Sequence, residues 1–341
     1  MKILYLSCHS VLEFDEIKLL TEMGHDVKSH GAYRDPRGAY TLPRPGIPGM
    51  EFDEKWLELT ANNPKTALTE EMIEPFDVII IMAGENEGPL VSNWKNIKHK
   101  RVIWRSIGQS TQGTEALIKR FKKEGLEIVR YSPKEANITG FAGQDAMIRF
   151  YKDPEEFANW NGNDNRPINF SQSLKARGKF VHYDEIIGSL VGFDNAKVCG
   201  SGNNDLGTFN GGEVTHDRMK EILRDARVFV YGGTWPASYT LSFMEAMMTG
   251  IPIVALSAKG AAVEGVEAYD YYEVGHILGQ AGVTTFDNVQ DMRNAVENIL
   301  ANEALAKSIS HTQRQTAIKY FGKETIKLQW EQFLERPSEN N

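Results

Sequence analysis

Cysteine is nearly absent. Cys8 and Cys199 are the only two in 341 residues, far apart and with no C-x-x-C spacing, which excludes a disulfide framework and a thiolate metal site. A reducing, cytoplasmic compartment is the expectation. Asp-x-Asp does not occur, and the eight histidines form neither H-x-H nor H-x-x-x-H pairs, so no metal is implied. No stretch approaches the run of about 20 apolar residues that a bilayer-spanning helix needs. The opening MKILYLSCHSVLEF looks at first like a secretion signal. Glu13, Asp15 and Glu16 follow at once with no small-residue cleavage site, so it reads as a first buried strand. Basic charge is in deficit, with 38 Lys and Arg against 46 Asp and Glu. That balance argues mildly against a surface built as a whole to bind nucleic acid.

What is present is an alternation of short apolar runs and amphipathic stretches, the pattern of parallel sheets with helical crossovers. In the first half the expected strands are 2–6, 27–29, 76–82, 102–105 and 126–130. In the second half they are 168–171, 196–199, 228–231, 251–256 and 283–284. A helix is expected over 11–23, with Gly24 as its stop, and three more over 289–300, 303–320 and 323–334 with no strand after them. The polar segment Asn159 to Arg166 is rich in turn formers and marks a domain boundary. The predicted division is therefore 1–160, 161–322, and a helix over 323–341 that packs back on the first domain. Gly31 to Pro48 holds four of the 13 prolines and reads as a long loop, a kind that is usually functional or disordered.

The segment VFVYGGTWPASYTLSFMEAMMTGIPIVAL, from Val228 to Leu256, carries the most chemistry. It reads as strand, Gly-containing loop, helix and strand. Amides at such a helix start form an anion site, because first-turn N–H groups lack partners and the macrodipole is positive there. Ser238, Tyr239, Thr240 and Leu241 are the expected donors. Glu245 lies about a turn and a half further in among apolar neighbours, where a carboxylate needs hydrogen-bond donors such as a sugar diol. The alternative is a partly exposed Glu on an amphipathic helix.

Glu245-Ala-Met-Met-Thr-Gly-Ile-Pro-Ile-Val-Ala resembles the donor-nucleotide motif of retaining glycosyltransferases of the GT-B architecture, in particular glycosyltransferase family 4, including its viral members. Leu19 to Val27 is similar to that family's first helix and Gly-His turn. Lys197 to Gly202 resembles its strand and Gly-x-Gly turn, with Gly200 at the nucleotide, and Ala317 to Leu334 resembles its closing helices. The resemblance implies an α/β fold of two Rossmann-like domains facing across a cleft. It also implies a metal-independent transfer with no cofactor, from a nucleoside-diphosphate sugar, a UDP-sugar such as UDP-glucose being favoured. Glu245 would hold the ribose. The first glutamate of the family's E-x7-E motif falls at Ala237, so the sugar contact is missing there.

A departing diphosphate needs cations, and Arg177 and Lys179, flanking Gly178, are the expected pair; the alternative is solvated loop cations. In the first domain, loops at strand carboxyl ends face the crevice of open α/β sheets. This places Arg105, Ser106 and Gln109, together with Glu85 and Glu87, as contacts to donor sugar or acceptor, with His9 as a weaker candidate. Turn residues in solvent are the alternative. Two rival functions stay open, a nucleotide-sugar epimerase or hydrolase and a non-catalytic nucleotide-sugar binding module.

The acidic total hides a basic block. From Lys95 to Lys123 there are nine Lys and Arg against the single acid Glu115. Such a block is either a face for a polyanionic acceptor, DNA or an anionic lipid-linked glycan at a membrane surface, or a solvated helix face. Glycan, lipid-linked glycan and modified DNA base all remain as acceptors, and the oligomeric state is not legible.

Overall fold

The computed structural model describes residues 1–7, 9–29, 68–83, 88–108, 110–266 and 270–336. The predicted loop from Gly31 to Pro48, Cys8, Glu85, Glu87 and Gln109 lie outside the described residues. The chain divides into two compact units, 1–151 with 324–341, and 152–323.

In the first unit six parallel strands run in the order β2-β1-β3-β4-β5-β6. They are β1 (Lys2–Ser7), β2 (Asp26–Ser29), β3 (Val78–Ala83), β4 (Arg101–Ser106), β5 (Glu127–Arg130) and β6 (Ala146–Met147). The run Val78-Ile-Ile-Ile-Met is buried throughout, as a central parallel strand covered on both faces requires. Helix α1 (Ser10–Glu22) follows β1, and α2 (Gly88–Ile97) and α3 (Gln112–Lys122) follow β3 and β4. Thr111 caps α3 by accepting the Thr114 amide, and Lys119, Arg120 and Lys122 sit in its last turn, where cations complement the helix dipole. Leu4, Ile79, Ile81, Trp104, Ile118, Phe121 and Ile128 form the centre of this core.

In the second unit the order is β10-β9-β7-β8, all parallel. The strands are β7 (Asp164–Phe170), β8 (Lys197–Cys199), β9 (Ala226–Tyr231) and β10 (Ile253–Ala255). The helices are α4 (Tyr183–Leu190), α5 (His216–Asp225), α6 (Leu241–Thr249), α7 (Val274–Gln280), α8 (Val289–Ala301) and α9 (Glu303–Phe321). Helix α6 is buried from Phe243 to Thr249 and ends on Gly250 at φ +91°, whose amide donates to the carbonyls of Ala246 and Met247. The left-handed backbone there needs glycine. Helix α10 (Lys323–Leu334) closes the described chain, and from Glu324 onward it belongs to the first unit.

Two expectations change. Residues 283–284 form no strand; Phe286 alone bridges to Leu256, because the extended piece is too short to make a ladder. Residues 152–160 go with the second unit, not the first. Lys152 forms a parallel bridge with Gly322 and its amide donates to the Phe321 carbonyl at 2.8 Å, so the structural division falls before the polar segment.

Candidate functional site

The second sheet has its switch point at β7. The chain passes from β7 to β8 on one side, then to β9 on the other. The carboxyl ends of β7 and β9 therefore flank the crevice where open α/β sheets bind ligands. Two loops approach each other beyond β7 and β8. Ser171 and Ser173 donate their amides to the carbonyls of Cys199 and Ser201, at 3.1 and 2.8 Å. Gly200, at φ +139°, permits this, because a Cβ there would lie 2.4 Å from the Ser171 carbonyl oxygen.

Beyond β9 the chain turns through Gly232-Gly233 and reaches α6. The turn is tightly enclosed: a Cβ on Gly232 would lie 2.8 Å from the His182 Cβ, and one on Gly233 would lie 2.7 Å from the Tyr272 ring. The Trp235 amide donates to the Phe180 carbonyl at 2.8 Å, which ties this loop to the segment that carries Arg177 and Lys179. Around the turn, four enclosed polar atoms have no partner among the described residues: Asn169 Oδ1, His182 Nε2, Trp235 Nε1 and Tyr272 OH. Asn169 uses its amide nitrogen on the Val230 carbonyl at 2.9 Å, which leaves the oxygen over. Such atoms are uncommon in native proteins and need an explanation. Burial pushes the His182 imidazole down to about 4 and the Tyr272 phenol upward, so both stay neutral near pH 7.

Helix α6 begins uncapped. Thr240 is its N-cap residue but makes no side-chain cap bond. Its hydroxyl instead meets Tyr231 OH at 3.1 Å and Ser242 Oγ at 3.0 Å, and its amide donates to Tyr231 OH. Among the described residues the Leu241, Ser242 and Phe243 amides have no acceptor. The expected donors therefore shift along the chain. Leu241 remains, but the Thr240 amide is occupied. Ser238 and Tyr239 precede the helix, the first accepting the Glu273 amide on its carbonyl, the second packing its ring on Phe243 and Phe321.

Glu245 follows on the next turn, 4 % exposed. Lys152 Nζ donates to its Oε1 at 3.0 Å and stands 5.4 Å from the Phe157 ring centroid. The second oxygen, Oε2, has no donor among the described residues and is not among the fully enclosed orphan atoms. A buried carboxylate is thus held by one cation with one oxygen left to accept. Lys152 is the residue sequence reasoning missed; it lies 93 positions away, and nothing local distinguishes it from other lysines. Of the two expected diphosphate cations, Arg177 is exposed and its side chain has no partner among the described residues. Lys179 donates to the Glu264 carbonyl at 2.9 Å.

The first-unit candidates resolve differently. Arg105 is fully buried. Its Nε and Nη2 donate to Glu16 Oε1 at 2.9 and 2.7 Å, and its Nη1 donates to the Ile148 carbonyl; Tyr5 OH donates to the other Glu16 oxygen. Ser106 Oγ donates to Glu135 Oε2 at 2.9 Å. Both face inward and serve the core, which corrects their assignment as substrate contacts. His9 caps α1, its Nδ1 accepting the Leu12 amide.

The basic block is also largely answered in space. Lys98, Lys100, Arg101, Arg105 and Lys122 pair with Glu124, Glu74, Glu127, Glu16 and Asp145. All five acids lie outside the block, so the sequence window overstates the local field. Among the described residues no group of three or more His, Cys, Asp or Glu side chains is arranged to hold a metal ion, and no helix is long and apolar enough to cross a membrane.

No protein-family model matches the chain, and no curated protein matches it in sequence. Solved structures do match in fold. Anabaena Alr3699/HepE in complex with UDP-glucose superposes with a TM-score of 0.65 at 16 % identity, covering 98 % of this chain and 99 % of that one. A glycosyltransferase from Rickettsia africae gives 0.65 at 12 %, covering 98 % and 99 %. A DNA-modifying β-glucosyltransferase gives 0.53 at 13 %, covering 98 % of each chain. The chain has the α/β fold of the GT-B glycosyltransferases.

Proposed function

We propose that the protein is a glycosyltransferase that takes a nucleoside-diphosphate sugar, with UDP as the preferred nucleotide, and transfers the sugar with retention and without a metal ion. The observation that carries this reading is the amino end of α6, where three unpartnered amides precede a buried glutamate with one free oxygen. The amides of Leu241, Ser242 and Phe243, with the Thr240 and Ser242 hydroxyls, would receive the diphosphate on the positive end of the helix. Arg177 would add a mobile cation as charge builds on the leaving phosphate. Glu245 Oε2 would accept from the ribose hydroxyls, with Lys152 fixing the carboxylate. Catalysis then rests on positioning and electrostatics. Pairing of five of the nine cations in the basic block favours a glycan acceptor over DNA.

The test is a calorimetric titration with UDP-, GDP-, ADP- and CMP-sugars, followed by NMR of the product anomer with and without EDTA. UDP-sugar binding should exceed the others, the anomeric configuration should be kept, and EDTA should have no effect. Glu245→Gln should weaken donor binding roughly tenfold, about 1.4 kcal/mol. Absence of binding by every nucleotide sugar would falsify the reading.

A further inference from the structure

The carboxyl end of α6 borders a second recess. A cavity of about 510 Å³ is lined by Asn159, Trp160, Ser310, His311, Arg314 and Gln315, with Thr249 at the end of α6. A nine-residue helix is about 13 Å long, so this cavity stands apart from the amides at the other end. One wall is a face of α9, where Lys307, Ser310, His311, Arg314 and Gln315 recur at three- and four-residue spacing. The other wall is the polar segment that in sequence looks like a linker.

The charged groups of this cavity are already engaged. Arg314 donates to the backbone carbonyls of Pro154, Phe157 and Met248, and Lys307 pairs with Glu303 at 2.5 Å. The side chains of Asn159, Ser310, His311 and Gln315 have no partner among the described residues. These are two amides, a hydroxyl and an imidazole, each able to donate and to accept. Trp160 is half-buried and anchored: its Nε1–H donates to the Ala226 carbonyl at 2.8 Å, and a Cβ on Gly162 would lie 2.4 Å from the ring. A polyanion would meet Lys307 already paired with an acid and Arg314 with both terminal nitrogens committed to backbone carbonyls, and an apolar ligand would leave the amides unpaired. A sugar offers hydroxyls of both senses on its edge and C–H groups on its face.

We propose that this cavity is a binding site for a short neutral oligosaccharide, with one ring against Trp160 and hydroxyls on Asn159, Ser310, His311 and Gln315. The site does not depend on the nucleotide reading and stands or falls separately from it. Saturation-transfer NMR on the full chain with maltotriose, cellotriose and laminaritriose, with inorganic pyrophosphate as competitor, tests it. At least one trisaccharide should bind. Trp160→Ala and the surface double variant His311→Ala/Gln315→Ala should each weaken binding roughly tenfold, with any thermal shift given by UDP unchanged. The double variant alters exposed side chains only, so it separates lost binding from lost folding. Binding by none of the three, equal affinity in the double variant, or displacement by pyrophosphate would overturn the proposal.

Discussion

At the carboxyl end of β4 the buried polar side chains mostly pair with one another, with Trp104 Nε1 and Glu135 Oε1 left over, whereas around the carboxyl end of β9 unpaired polar atoms cluster. In the first unit Arg105, Glu16 and Tyr5 satisfy one another, and Arg130 meets Glu115 through two bonds of 2.8 and 2.7 Å. In the second unit Asn169, His182, Trp235 and Tyr272 keep polar atoms without partners among the described residues. Position at a strand end marks where a ligand could bind; the unmatched hydrogen-bonding capacity marks where folding leaves buried polar atoms unsatisfied by the rest of the described chain.

Cutting the satisfied network should have the largest effect. Arg105→Ala leaves Glu16 buried without a cation, with only Tyr5 OH still donating to it, and urea denaturation should show a loss of about 4 kcal/mol, with donor affinity of the folded protein intact. Next comes acid. Folded His182 takes up a proton only near pH 4, whereas the unfolded residue does so near 6.5, so between these values the unfolded state binds more protons. Stability should therefore fall as pH drops from 6.5 to 4, by up to about 3 kcal/mol. His182→Asn, tolerated at the left-handed backbone of this position (φ +57°), should flatten that slope. The sharpest test is a pair of identical changes. Tyr5→Phe removes a bond to Glu16 and should cost about 2 kcal/mol, while Tyr272→Phe removes an unpaired hydroxyl and should leave stability unchanged or raise it by about 1 kcal/mol. Equal losses at both positions would erase the contrast. Smallest is Arg177→Ala, with no change in stability and a loss of donor affinity of about 0.5–1 kcal/mol that shrinks as salt is raised.

The layout of strands and helices was legible because buried parallel strands announce themselves as apolar runs, and α6 with its Gly250-Ile-Pro exit did so most clearly. Residues 283–284 misled because two β-branched residues cannot say whether a neighbour is in register. The burial of Glu245 was legible from its apolar company, but its partner Lys152 was not, since an ion pair across 93 positions leaves no local pattern. Arg105 and Ser106 were placed by topology alone; that Glu16 and Glu135 consume them depends on tertiary packing. Asn169 and His182 carried a faint signal, single polar residues next to apolar runs beside the Gly232-Gly233 turn, and only the count of unused donors and acceptors separates them from ordinary core residues.

Helix α10 has a consequence for synthesis. Trp330 is fully buried in the first unit, with the Arg105 guanidinium 5.7 Å from its ring, and Arg101 donates to the carbonyls of Phe333 and Leu334. The residues that seal the first unit thus leave the ribosome only after the whole of 152–323 has been made. The usual order of amino-terminal part first cannot run to completion here. The second unit, continuous in the chain, is able to finish while the first waits, open along the flank that α10 will cover.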